Sequence, residues 1–315
     1  MGDRAEYPAG VSVIVPVYQS VESLPELVDR VERALADVGP FEIVMVDDGS
    51  SERTWQQVER LAAEHAEVVG LRLSRNFGQH NALIAGLRQA RYAVSVTIDD
   101  DLQNPPEEIA RLLAYLDEAD LDVVYGVPDQ VEQSLWRRLS GRISRRAMRS
   151  VLGMKSAPDV SSFRAFRTRL RDAFSGSLGT NVSLDALLSW GTTRFGAIPV
   201  THAPRVEGTS NYTFSKLLRF AVDTTTGYSA VPLQIASITG LVTAVFGVLV
   251  LMWVVLRPLL TGQSVPGFPF LASTIAIFSG VQLFTLGIIG EYLARMHFRV
   301  MNKPTYVVRD EAHGE

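Results

Sequence analysis

No cysteine occurs among the 315 residues, which excludes disulfides, thiolate metal sites and cysteine nucleophiles together. A basic excess is missing too. Thirty Lys and Arg stand against 34 Asp and Glu, a formal net charge of −4, whereas a nucleic-acid binder needs cations to match its phosphate footprint. The opening MGDRAEYPAG holds no apolar run, so no cleavable signal is expected and the N-terminal domain is expected to be cytoplasmic. Fixed-period repeats and low-complexity tracts are absent as well. Charge itself is missing from two long stretches, Leu233–Leu256 and Pro258–Gly290. A bilayer span needs only about 20 apolar residues, so the two runs predict transmembrane helices over about 232–256 and 267–290. A buried hairpin of a soluble protein is the alternative.

The short connection between the runs carries one cation, Arg257, while Lys216 and Arg219 precede the hairpin and Arg295, Arg299, Lys303 and Arg309 follow it. Cations favour the cytoplasmic side, so both long ends are expected there. With 47% hydrophobic and 20% charged residues, the rest of the chain is long enough to bury a full core.

The first two hundred residues alternate between two periods. VSVIVPVY, FEIVMVDD, VVGLRLSRN, YAVSVTIDD and LDVVYG read as strands, and the segments between them as amphipathic helices. Strict succession of this kind predicts an α/β domain with a parallel, doubly wound sheet. In such sheets ligands bind beyond the carboxyl ends of the strands, and polar residues collect there. The first strand ends in Pro16 and Tyr18, the second in Asp47, Asp48, Gly49 and Ser50, the third in Arg75 and Asn76, the fourth in Asp99, Asp100 and Asp101. Each cluster alone has a structural explanation: DDGS suits a turn with Ser50 or Ser51 capping a helix, and Asn104-Pro105-Pro106 suits a helix start. Their coincidence on one edge points to a binding site.

Three adjacent aspartates raise the cost of ionising one another unless a cation is expected. Alternation along a strand end would put Asp99 and Asp101 on one side, where they can share Mg²⁺ or Mn²⁺, with Asp100 turned toward solvent or a loop. Gln103 is near enough in sequence to supply a further oxygen. A carboxylate pair working as acid and base is the competing reading.

PVY, VDDGS and DDDLQNPPEEI, in this order and spacing, resemble glycosyltransferase family 2 enzymes with the GT-A fold, a Rossmann-like nucleotide-sugar domain. LSRNFGQHNALIAGL and HAPRVEGTSNYTFSKLLRF, followed by a two-helix hairpin, narrow the resemblance to polyprenyl-phosphate glycosyltransferases. These include dolichyl-phosphate mannose synthases, bactoprenol glucosyltransferases and undecaprenyl-phosphate aminoarabinose-type transferases. The resemblance implies that Pro16, Tyr18 and Asp47 or Asp48 hold the base and ribose of a nucleotide-sugar donor. It implies that Asp99 touches the nucleotide side, that Asp101 and Gln103 bind the metal bridging the diphosphate, and that Arg205 closes over the phosphates with Ser210 and Tyr212. The implied acceptor is a polyprenyl phosphate such as undecaprenyl phosphate, and UDP is the implied carrier.

The acceptor requires a hold on the bilayer. SLWRRLSGRISRRAMRSVLG places Leu135, Leu139, Ile143 and Ala147 at four-residue spacing with Arg138, Arg142 and Arg145 around them. A basic amphipathic helix of this kind suits an anionic surface and offers arginines to the lipid phosphate. YTFSKLLRFAV repeats the apolar stripe before the first span. Either helix could instead pack on the sheet with its charges solvated. The expected organisation is a catalytic domain over 1–205, a juxtamembrane segment over 206–231, the hairpin over 232–290 and a cytoplasmic tail over 291–315. Gly240, Gly247, Gly280, Gly287 and Gly290 leave room for close helix approach, and with it a homo-oligomer.

Some features depart from the family. Gln19-Ser20 follows PVY where many relatives carry Asn-Glu, and the loop after the fifth strand carries Asp129 and Glu132 where an arginine is common. APDVSSFRAF is one residue short of the family spacing, leaving Asp159 as a candidate for organising the acceptor site. Two rival readings are a processive polysaccharide synthase, whose acceptor motif is not found around Trp190, and a silent membrane scaffold, which would not need the acidic cluster.

Overall fold

The computed structural model describes residues 7–128, 160–174, 183–202, 231–261, 267–301 and 304–314. Two compact units result: an α/β unit that combines the N-terminal two hundred residues with the C-terminal tail, and a helical hairpin.

The α/β unit is built on an eight-stranded sheet. Its elements in chain order are β1 (Val11–Val17), α1 (Ser23–Leu35), β2 (Phe41–Asp47), α2 (Glu52–Glu64), β3 (Val68–Leu73), α3 (Gln79–Gln89), β4 (Val94–Thr97), α4 (Ile109–Glu118) and β5 (Val123–Pro128). Next come β6 (Arg164–Arg167), α5 (Leu184–Gly191) and β7 (Phe195–Val200). The hairpin consists of α6 (Val231–Thr261) and α7 (Gly267–Val300), and β8 (Val308–His313) closes the chain. Strand order is β7-β5-β6-β4-β1-β2-β3-β8.

The central strands read as continuous apolar runs because both of their faces are covered. Val13, Val15 and Val17 of β1 face a core shared with α1, α2 and α4, while Ile14 faces the opposite layer with α3 and α5. That is the period-2 alternation of a strand sandwiched between helices. In α1 the buried Leu24, Leu27, Val28, Val31 and Leu35 recur at helical spacing, one apolar stripe laid on the sheet. On the other face α3 comes close: a Cβ at Gly86 would lie 2.5 Å from Ile14 and 3.0 Å from Val46.

Three expectations are corrected. First, the sheet is mixed, since β6 runs antiparallel to both β4 and β5 and β8 antiparallel to β3; these two strands are not part of the β-α-β succession from which a parallel sheet was expected. Second, β4 ends at Thr97, so Asp99 to Asp101 lie in a turn beyond it and strand alternation does not govern them. Third, α7 continues to Val300 and the tail beyond it is no separate segment, because β8 supplies an edge of the sheet.

The helices α6 and α7 are long and apolar enough to cross a membrane, with candidate spans Leu233–Val250 and Ile277–Ala294. Leu241, Val242, Phe246, Leu283 and Phe284 are each more than half exposed, the opposite of a buried soluble hairpin. Gly247 receives the ring of Phe278, which a Cβ there would meet at 2.5 Å.

Candidate active site

The carboxyl ends of β1, β2, β3 and β4 meet through hydrogen bonds made by the residues singled out in the sequence. At the end of β2, Asp48 accepts from the backbone N–H groups of Phe77 and Gly78 at 2.7 and 2.8 Å, which ties the β2 turn to the loop after β3. Gly49 makes this approach possible. Its φ is +67° and a Cβ would fall 2.3 Å from the carbonyl carbon of Arg75, so only glycine fits both the conformation and the space. Ser50 accepts from the Gln19 N–H at 3.0 Å and joins the same turn to the loop after β1.

Asp100 is turned into that β1 loop, accepting from the Tyr18 N–H at 3.1 Å. Burial pushes its carboxyl up to about 6, opposed by the hydrogen bonds from Ser20 and Tyr18. The two loops that meet here each carry a non-glycine residue in the left-handed region, Gln19 and Leu102, both at φ 58°. Leu102 is buried, so the core holds the turn in a conformation that is costly for a branched side chain. Gln103 follows it and donates its N–H to Asp101 at 3.2 Å.

Asp99 is held from two other elements. Ser162, just before β6, donates to one oxygen at 2.6 Å, and Gln79, the first residue of α3, donates to the other at 2.7 Å. Burial raises the Asp99 carboxyl, as does the charge of Asp101, while Ser162, Arg164 and Gln79 oppose the rise. Neither Ser162 nor Gln79 was among the sequence candidates. The available signals were the polar first turn of a helix on the same edge, and the serines before FRAF.

Arg164 was missed as well. An arginine between phenylalanines in a strand must find a buried partner, and here it does. Its guanidinium pairs with Asp185 of α5, its Nε donates to Thr97 at 3.0 Å, and Tyr125 donates to Asp185 at 3.0 Å. Thr97 in turn donates to the carbonyl of Ser162 at 2.6 Å, so the buried pair also orients the serine that holds Asp99.

The remaining candidates are placed unequally. Pro16 is buried within β1 opposite Val46, and Tyr18 stands half exposed at the strand end. Asp47 takes the Ser50 N–H on one oxygen at 3.0 Å, while its other oxygen is buried without a hydrogen-bond donor among the described residues. Burial raises this carboxyl, against Ser50 and Arg72. Arg138, Arg142, Arg145, Asp159, Arg205, Ser210 and Tyr212 lie outside the described residues, as do both amphipathic segments.

The acidic turn fits a divalent cation. Asp99 and Asp101 repel each other, and no third acidic or histidine ligand joins them among the described residues. Mg²⁺ commonly binds through one or two carboxylates with substrate phosphates and water completing its sphere. Asp99, Asp101 and the Gln103 amide are the groups that would hold it.

The helix-covered mixed sheet, with its acidic turn at the carboxyl edge of the parallel strands, is a GT-A-type fold, as the family match and a solved structure show. The family model for glycosyl transferase family 2 matches residues 12–174, and the chain belongs to that family and is a glycosyltransferase. Over 303 residues it is 36% identical to an undecaprenyl-phosphate 4-deoxy-4-formamido-L-arabinose transferase of Pectobacterium carotovorum, covering 95% of this chain and 92% of the other. A protein of the same name from Klebsiella pneumoniae is 35% identical over the same shares. Among solved structures, the glucosyl-3-phosphoglycerate synthase of Mycobacterium tuberculosis, in complex with Mn²⁺, UDP-glucose and phosphoglyceric acid, superposes with a TM-score of 0.51 at 16% identity. That match covers 71% of this chain and 79% of the other and establishes the fold.

Proposed function

We propose that the protein transfers a sugar from a UDP-linked donor to undecaprenyl phosphate at the cytoplasmic face of a membrane, with inversion at the anomeric carbon. The observation that carries this reading is the acidic turn Asp99–Asp101, held by donors from the β1 loop, α3 and the approach to β6. The relatives named undecaprenyl-phosphate transferases match nearly the whole chain, hairpin included, which supports the lipid acceptor. UDP is the carrier suggested by resemblance to the aminoarabinose-type enzymes. For Mn²⁺ or Mg²⁺, the support is the donor set of Asp99, Asp101 and Gln103, together with a protein of this fold solved in complex with Mn²⁺ and UDP-glucose.

The chemistry asks little of a general base. A phosphate monoester has its second pKa at about 6, so the acceptor is already an anion near neutral pH. One of its oxygens forms a bond to the anomeric carbon as the bond from that carbon to the donor diphosphate breaks, and the electron pair leaves with the nucleoside diphosphate. Catalysis then rests on positioning and on screening two phosphorylated substrates from each other. A bound divalent ion would stabilise the departing diphosphate. Asp47 and Tyr18 would hold the nucleoside, while Arg205 and the arginines Arg138, Arg142 and Arg145 would face the phosphates.

The tail supports an even number of crossings. Because β8 pairs with β3, the segments before α6 and after α7 belong to one compact unit, which supports two crossings. Cation placement around the hairpin supports the cytoplasm as that side.

The test is release of nucleoside diphosphate by the full-length protein in detergent, across UDP- and GDP-sugars, with and without undecaprenyl phosphate and Mn²⁺. Release that needs lipid phosphate and metal together, and falls by at least about a hundredfold in Asp101→Asn, is expected. Lipid-independent hydrolysis, or none with any donor, would overturn the acceptor assignment.

A further inference from the structure

Arg72 of β3 sits among three carboxylates drawn from three different elements. It is 7% exposed. One terminal nitrogen donates to Glu52 of α2 at 2.7 Å and the other to Asp310 of β8 at 3.5 Å, and Nε lies 3.8 Å from the buried oxygen of Asp47. The guanidinium also lies over the Trp55 ring, 5.7 Å from its centroid. A guanidinium is planar and rigid, so fixing two of its nitrogens dictates where the third points.

The strand that supplies Asp310 is irregular at this point. Arg72 pairs with Asp310, but Leu73 pairs with Val308, so β8 bulges at Arg309. Bulges re-aim side chains and are common beside active sites. Here the bulge falls next to the cross-strand pair that orients Arg72.

We infer that Arg72, oriented by Asp310 of the C-terminal strand, is a positioning residue for Asp47 in the donor nucleotide pocket, so that β8 is a working part of that pocket. The inference rests on the placement of the nucleoside at Asp47 proposed above. The carboxylate of Asp47 has one oxygen on the Ser50 N–H and one with no direct donor. At 3.8 Å Arg72 favours the ionised form of this fully buried carboxylate, whose other oxygen holds the Ser50 N–H, and so steadies the β2 turn on which the donor pocket depends.

The charges around Asp47 set the sign of its pH response. Arg72 faces it from β3 and favours ionisation, whereas burial, Glu52 from α2 and the neighbouring Asp48 oppose it. Ser50 donates to it from its own turn, and Asp310 acts through Arg72. Loss of the guanidinium therefore raises the Asp47 carboxyl, and nucleotide binding is lost at a higher pH as the solution is acidified.

The experiment is calorimetric titration of the full-length protein in detergent with UDP and Mn²⁺ between pH 5 and 8. Asp310→Asn should weaken binding by about fivefold and Arg72→Gln by tenfold or more, the loss of a charge-assisted contact acting at one remove. Arg72→Gln should also shift the acid limb to higher pH, and Arg72→Lys should restore the limb while recovering only part of the affinity. A purely structural role would lower the melting temperature without moving the limb. Asp310 is partly exposed, so Asp310→Asn remains informative if Arg72→Gln fails to fold. Binding and limb unchanged in both variants, beside an Asp47→Asn protein that loses UDP, would overturn the inference alone. An Asp47→Asn protein that binds UDP normally would overturn it together with the placement of the nucleoside.

Discussion

Both oxygens of Asp99 rest on neutral donors, Ser162 and Gln79, which oppose the rise that burial and the neighbouring Asp101 impose on its carboxyl. A donor on each oxygen fixes the carboxylate plane, which is the geometry that a diphosphate and its counterion would meet. Ser162→Ala should therefore lower kcat/KM for sugar transfer by about tenfold, equivalent to about 1.4 kcal/mol of transition-state stabilisation. Its melting temperature should stay close to that of the parent protein, and nucleoside diphosphate release measures the rate. Gly49 is a harsher case. A methyl group there would enter the backbone of Arg75 at a left-handed φ, so Gly49→Ala should cost about 1–3 kcal/mol in unfolding free energy, read by denaturant unfolding. The same change should release Asp48 from the loop after β3 and weaken nucleotide binding.

At the opposite edge of the sheet, one buried carboxylate joins several elements. Asp122, just before β5, accepts from Thr192 at 2.6 Å, from Arg194 at 2.9 and 3.0 Å, and from Arg169 at 2.9 Å. Burial alone would raise this carboxyl, but the hydrogen bonds from Arg194, Thr192 and Arg169 hold it well below the usual carboxylate range. A depressed carboxylate contributes stability above its unfolded pKa, near 4, and loses it as pH falls toward the folded value. Asp122→Asn should destabilise the protein at pH 7 by about 2 kcal/mol, and the gap should close only well below pH 4. Thermal melts across pH would show this, with nucleotide affinity unchanged. The first five strands and their helices were legible because buried apolar runs and amphipathic stripes are local properties. The strands β6, β7 and β8 were not read as strands, since four to six residues with few alternating positions carry little periodic signal. The edge to which the clusters converge was also legible. The partners of Asp99 were not, because Ser162 and Gln79 reach it from 63 and 20 residues away, and pairing across such distances leaves no pattern in the chain.

For the molecule as a whole, the absence of cysteine offers a direct reading of topology. A single cysteine at Ser264→Cys, between the two long helices, should react with a membrane-impermeant maleimide added outside intact cells. One at Ser74→Cys, on an exposed residue at the end of β3, should react only after the membrane is opened. The reverse pattern would place the sheet on the outer side. Inside the α/β unit, the edge strand β8 is contributed by residues that follow the hairpin. During translation the first seven strands therefore emerge before α6 and α7, and β3 keeps an unpaired edge until both helices have been made. Order of synthesis then becomes order of assembly: a polypeptide stalled before the hairpin has no β8 with which to complete its sheet, and the finished fold certifies that the hairpin has been made.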